Sequence, residues 1–293
     1  MLEPLVQNLV FGVLVGALYG LAAVGLSLVF GVTKILNVAH GELLMFGGYA
    51  SFWAVTLLGI DPFLSLVPAV MFLAVIGYIL YKLIFSRLVK LDESVKIQNT
   101  LLVGFGLSLI LQNIALRLWS ADTRGITTFY SGWAVTSFGI RFPIVRVASL
   151  VIALVTLLAL ELFLRRTYTG KALRATVENW EAATLMGIDI QKVYMLAFVM
   201  GASLAAIAGT LVSVGYSIDP MMGLNWTLTS LIVMVLGGLG SIIGTFVGGI
   251  VLGVTQSLTG FLLSQSYREV VGLVLFLLVL VFRPQGLFGA KER

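Results

Sequence analysis

Nine stretches of this chain are apolar along nearly their whole length, and none alternates: 5–33, 38–59, 63–85, 97–118, 144–164, 191–216, 225–239, 242–263 and 268–282. A helix that crosses a membrane needs about 20 such residues, whereas a membrane β-strand alternates apolar and polar positions over about ten. Runs of this length therefore specify helices. Composition closes off a water-soluble alternative: 11% of the residues are charged, against about 25% in a typical soluble domain. The expected fold is all-α, a polytopic integral membrane protein of about 8–9 transmembrane or re-entrant helices forming one domain over 1–293. The segment 225–239 is short for a span. It is expected to be short or re-entrant and to turn at Gly237-Gly238-Leu239-Gly240-Ser241, because irregular backbone at membrane depth survives only where protein or a watery cavity surrounds it.

The charges orient the spans. With the loops near 34, 82–96, 165–192 and the C-terminus in the cytoplasm, 13 of the 18 Lys and Arg residues lie on that side. The other side holds Arg117, Arg124, Arg141, Arg146 and Arg268. The reverse topology inverts this ratio and violates the positive-inside rule, so the N-terminus is expected outside and the C-terminus inside. The same rule accounts for the net charge of +5 without nucleic acid. The chain begins Met-Leu-Glu-Pro, with no positive n-region, so 5–33 reads as a retained first helix rather than a cleaved signal.

Much chemistry is excluded. There is no cysteine and one histidine, which removes disulfides, thiolate metal sites and His-rich metal sites. Thr169-Gly170-Lys171-Ala172 lacks both the upstream Gly and the Ser/Thr of a P-loop, and Gly238-Leu239-Gly240 is followed by Ile243 where a dinucleotide fingerprint requires Gly. No Ser-His-Asp arrangement is evident. No catalytic residue, metal or cofactor is expected, and transport driven by ATP would require a separate ATPase subunit.

Three groups of residues stand out. Asn37-Val38-Ala39-His40-Gly41-Glu42 brings ionisable groups into the start of a span, where they are costly and by default functional. On a continuous helix Asn37, His40 and Gly41 would share one face. They are candidates for the pathway or its gate, with Asn37 as a helix cap and Glu42 at the positive end of the helix dipole as the structural alternative. His40 and Glu42 are expected near one end of the membrane. Small residues four apart, among them Gly240, Gly244 and Gly248, mark either close helix packing within the chain or a subunit interface. Finally, residues 165–192 form a polar, basic island. Residues 171 to about 186 are expected to form one amphipathic helix with Leu173, Val177, Trp180 and Thr184 on one face, ending at Gly187. It could lie on the membrane, pack on the protein's own helix ends, or fit a groove on a partner with Trp180 as an aromatic anchor.

Within that island, Glu181-Ala182-Ala183-x-x-x-Gly187 resembles the cytoplasmic coupling loop of ABC importer permeases. The fuller pattern continues with I-x-L-P, where this chain has Ala197-Phe198-Val199-Met200. Leu36-Asn37-Val38-Ala39-His40-Gly41-Glu42, Leu185-Met186-Gly187-Ile188, Val235-Leu236-Gly237-Gly238-Leu239-Gly240-Ser241 and Phe282-Arg283-Pro284-Gln285-Gly286-Leu287-Phe288 together look like the LivH-type permeases of branched-chain amino acid importers. The resemblance covers nearly the whole chain. It implies transport of leucine, isoleucine or valine across a bacterial inner membrane, with relatives that import urea or short-chain amides as the near alternative. It also implies a LivM-type permease partner, two cytoplasmic ATPase subunits that use the ATP, and a periplasmic substrate-binding protein. Trp180, Glu181, Ala182, Ala183 and Gly187 would then couple the permease to the ATPases. A stand-alone ion-coupled secondary transporter is the rival from another class.

Overall fold

A helix of 32 residues, α1 (Leu2–Thr33), runs through the centre of the protein. The computed structural model describes residues 2–91, 93–137, 139–283 and 285–289. Among them, eight helices are long and apolar enough to cross a membrane. After α1 come α2 (His40–Leu58) and α3 (Leu66–Leu80); α3 continues through a π-helical turn (Tyr81–Phe85) into the final turn α4 (Ser86–Leu88). Then follow α5 (Glu93–Trp119), α6 (Ile144–Arg166), the short pair α7 (Tyr168–Glu178) and α8 (Trp180–Leu185), α9 (Ile190–Gly215), α10 (Met222–Gly237), α11 (Ile242–Leu262) and α12 (Arg268–Phe282). Pro284, Lys291 and Arg293, used above in the motif and the charge count, lie outside the described residues.

The core is made by α1, α2, α9, α10 and α11. Lipid is as apolar as leucine, so these helices associate by close packing rather than by the hydrophobic effect. Glycine makes that possible. Gly12, Gly16 and Gly20 of α1 lie against α11, and a methyl group on Gly249 or Gly253 would overlap the backbone of Gly20 or Gly16. Two hydroxyls pin the same seam: Thr245 Oγ1 donates to Ser27 Oγ at 3.0 Å, and Ser257 Oγ donates to the Asn8 carbonyl at 2.7 Å. The outer helices α3, α5, α6 and α12 leave most of their apolar surface uncovered, as lipid contact allows.

The bundle has two ends. At one, α6 passes into α7 and α8. At the other, a small antiparallel hairpin pairs β1 (Ala134–Ser137) with β2 (Ile140–Pro143), Ala134 opposite Pro143 and Ser137 opposite Ile140. The long apolar runs gave no sign of this hairpin. Asp61 anchors the hairpin end: Oδ1 accepts from Phe63 N and Oδ2 from the Tyr130 hydroxyl at 2.7 Å. Burial and that hydrogen bond push the Tyr130 phenol up to about 12.

Residues 37–39 depart from the sequence reading. They do not begin the second helix, which starts at His40. Lys34 takes a left-handed conformation (φ 55°) and reverses the chain, and 34–39 then run back into the bundle. Val38 N faces Gly104 of α5, and His40 reaches Ala22 of α1. Ala22 lies about 17 Å along α1 from its end at Thr33, near the middle of a hydrocarbon layer about 30 Å thick. His40 and Glu42 are therefore deep in the bundle, not near one end.

Candidate functional site

Non-helical backbone at this depth must satisfy its polar groups internally. Asn37 Oδ1 accepts from Ala39 N at 3.1 Å, and the Asn37 carbonyl accepts from His40 N at 3.2 Å. Asn37 thus sits in the turn before α2 and not on a helical face with His40 and Gly41; it serves the helix start from two residues ahead of the cap position, which Ala39 occupies. Thr227 of α10 does the rest. Its Oγ1 accepts from Gly41 N at 2.8 Å and donates to the Val38 carbonyl at 2.9 Å. His40 Nε2 donates to the Ala22 carbonyl at 2.9 Å, which fixes the tautomer, and Gly25 leaves room for the ring.

Glu42 is fully buried. One carboxyl oxygen accepts from Ser108 Oγ of α5 at 3.0 Å. The other is buried without a hydrogen-bond partner among the described residues. Gly223, in the first turn of α10, lies directly against this carboxyl, and a methyl group there would overlap it. Asn37, His40 and Glu42 are thus brought together with Ser108 and Thr227, which the sequence marks only as polar residues in spans. Gly223 carries no sequence signal, because its requirement comes from a carboxyl 181 positions away.

The island at 165–192 folds into a compact cap on the bundle end. Three side chains set its breaks. Thr167 Oγ1 accepts from Gly170 N, Asn179 Oδ1 from Ala182 N, and Asp189 Oδ1 from Lys192 N, so each caps the helix that follows it. The expected single helix over 171–186 is therefore two, because Asn179 is extended (φ −158°, ψ 101°), ending α7 and starting α8. This turns Trp180 off the Leu173 face. α7 packs Gly170, Leu173 and Thr176 inward, and Gly170 lies so close to Phe163 and Leu164 of α6 that a methyl group would overlap them. Val177 and Trp180 stay exposed, Trp180 at 49%.

Gly187 ends α8 as its type suggests. At φ 81° it is left-handed; its N–H donates to the Thr184 carbonyl and that of Ile188 to the Ala183 carbonyl, the paired bonds of a Schellman motif. Lys192, through its side-chain and backbone hydrogen bonds, holds the Asp189 carboxyl below its ordinary value. α9 starts at once at Ile190, and Ala197-Phe198-Val199-Met200 lie within that span, so the unit ends where the family's I-x-L-P would extend it. Ala183 is buried; Glu181 and Ala182 are exposed, together with Leu185 at 88% and Met186 at 83%. Two large apolar side chains, an indole and a carboxylate are thus left exposed on this short unit by the described residues.

The glycines of the turn serve this same end. Gly238 (φ 108°) and Gly240 (φ 81°) reverse the chain between α10 and α11, where Ser241 Oγ caps α11 through Gly244 N. Gly244 and Gly248 lie against Gly237 of α10, backbone to backbone within the chain, and Gly240 lies beside Gly31 of α1. The residues after α12 complete the turn: Leu287 N and Phe288 N donate to the carbonyls of Leu236 and Gly237.

Comparison with known proteins agrees with this architecture. Residues 8–280 match the family described as "Branched-chain amino acid transport system / permease component". The chain is 34% identical to the high-affinity branched-chain amino acid transport system permease protein LivH of Salmonella typhimurium, over 98% of this chain and 96% of that one. It is 32% identical to the permease protein BraD of Pseudomonas aeruginosa, with the same coverage. Among solved structures, PsaBC from Streptococcus pneumoniae in complex with Fab superposes with a TM-score of 0.51 at 13% identity, over 97% of both chains, a likeness of fold alone. The chain belongs to the branched-chain amino acid transport permease family.

Proposed function

We propose that this protein is one permease half of an ATP-driven importer that carries leucine, isoleucine or valine across a bacterial inner membrane. The observation that carries the proposal is the coupling unit: three capped breaks present Trp180, Glu181, Leu185 and Met186 on a stiff, outward-facing segment of a chain that matches the permease family along its length. Exposed aromatic and aliphatic side chains on a basic loop outside the membrane suit a groove on a soluble partner. In this reading the partner is an ATPase subunit, the end bearing α7 and α8 faces the cytoplasm, and the hairpin end faces a periplasmic substrate-binding protein. A LivM-type chain supplies the other half of the pathway.

ATP-driven closure of the ATPases would move α8. The motion would pass through Thr167 to α6, and through Asp189 to α9, which packs against α1 and α2. His40 and Glu42 lie where those helices meet α10, so displacement of α9 would be felt at the buried turn. The test is reconstitution of the chain with its native partners in proteoliposomes. ATP-dependent uptake of leucine, isoleucine or valine is the expected result. Uptake of urea or a short-chain amide in their place, or uptake by the chain alone under an ion gradient, would overturn the reading.

A further inference from the structure

At the hairpin end, two hollows lie side by side, one between α1, α9 and α10 and the other between α1, α6, α11 and α12, and they share Val15, Tyr19 and Tyr216. They differ in chemistry. The smaller, about 190 Å³, is polar and holds Arg146 and Arg268. The larger, about 340 Å³, is walled mainly by Leu18, Val212, Met222 and Trp226, with Asp219 at its edge.

Two guanidiniums in one hollow repel, so they need a reason to be there. Neither has a carboxylate within 4.0 Å among the described residues; the two salt bridges found are Glu161–Arg165 and Asp189–Lys192. Arg146 is held between two aromatic faces, its Cζ 4.9 Å from the Tyr216 ring centroid and 5.3 Å from that of Phe11. These contacts hold the guanidinium without satisfying its N–H donors. Arg268 lies across Gly260, where a methyl group would displace its guanidinium, and its Nε is buried with no partner. The Tyr216 hydroxyl is likewise buried and unpaired. Unpaired buried donors around a cationic hollow are the complement of a carboxylate. Asp219 uses Oδ1 to accept from Met221 N at 2.8 Å and has no cation partner among the described residues.

We infer that the paired hollows bind an aliphatic amino acid as its zwitterion, with its carboxylate between Arg146 and Arg268 and its side chain in the apolar hollow against Leu18, Met222 and Trp226. Asp219 at the rim is placed to receive the ammonium. This deepens the proposed function and rests on it for the direction of transport. The sequence hides the site because Tyr19, Arg146, Tyr216 and Arg268 come from four separate elements.

A diazirine analogue of leucine tests the site in the assembled transporter, permease pair and ATPases with the binding protein, in nanodiscs. Illumination is expected to label peptides spanning Val15–Tyr19 or Met221–Trp226. Excess leucine should suppress the labelling, and leucinamide, which lacks the carboxylate, should require at least tenfold more to do so. Arg146→Gln, Arg268→Gln and Gly260→Ala should each reduce labelling at least tenfold, with Arg268→Lys intermediate. The leucinamide comparison uses the unaltered protein, so it holds even if a variant fails to insert. Labelling elsewhere, or equal suppression by the two competitors, overturns the site. So does loss only of binding-protein docking in the arginine variants, which would assign the arginines to acidic side chains of that protein. Uptake by the unaltered assembly is read separately: labelling without leucine uptake keeps the site and removes the importer reading.

Discussion

His40 Nε2 donates to the carbonyl of Ala22 at 2.9 Å, joining the first residue of α2 to a point about three turns inside α1. That bond records the depth to which 34–39 re-enter the bundle. The start of α2 then brings partly unsatisfied N–H groups and the positive end of a helix dipole into the middle of the membrane. Asn37 and Thr227 answer two of them, at Ala39 N and Gly41 N.

Thr227→Val keeps the shape of the side chain and removes both hydrogen bonds, leaving Gly41 N and the Val38 carbonyl unpaired. The expected loss is about 1–3 kcal/mol, read as a lower thermal midpoint in detergent. Thr227→Ser, which restores the hydroxyl, should recover most of it. Equal midpoints for Val and Ser would show that the hydroxyl does not hold the turn.

Gly223→Ala drives a methyl group into the Glu42 carboxyl. A site this tight should lose about 1–3 kcal/mol and most of its transport. Glu42→Ala in the same chain opens the space, so the double variant should be more stable than Gly223→Ala alone. Additive losses in this double-mutant cycle would mean that the two residues do not touch.

The Asn37→Ala, His40→Ala double variant addresses gating. A variant that inserts in normal amount yet transports at a tenth of the normal rate or less, with ATP hydrolysis continuing, is the expected outcome. Normal uptake would reduce both residues to structural supports of the turn.

Gly187→Trp forces a side chain onto left-handed backbone beside Leu185 and Met186, and Glu181→Lys reverses the charge on the exposed face of α8. Both should leave insertion intact while releasing the ATPases or uncoupling hydrolysis from uptake. Co-purification and the ratio of leucine taken up to ATP hydrolysed decide it; unchanged values for both variants exclude α8 as the coupling contact.

The chain has no cysteine, so single cysteines can be placed without removing any. A maleimide that cannot cross the membrane should reach Leu185→Cys only from the cytoplasmic side and Phe129→Cys only from the outside. Both positions are more than 80% exposed in the chain alone, so the labelling is done on the permease without its ATPase subunits, where failure to react cannot be assigned to burial. The reverse pattern would invert the proposed topology.

The sequence by itself determined that this is a helical membrane protein, where its long spans lie, that the chain turns at 237–241, and that Gly187 ends a helix. Each of these depends on properties of consecutive residues: apolar run length and the left-handed freedom of glycine. Tertiary structure decided the rest. Val38-Ala39 reads as the start of a span, yet it forms a turn outside the helix, because α1, α5 and α10 supply the contacts that let bare backbone lie at that depth. Asn179 reads as one polar position in an amphipathic helix, yet it is extended and caps α8 through Ala182 N, while Gly170 and Leu173 pack α7 onto the bundle and Trp180 is left outward. Hydropathy and periodicity report each segment against an average solvent. They cannot report which distant segment satisfies a carbonyl, faces a carboxyl or shares a hollow, and those pairings form only when the helices close on one another.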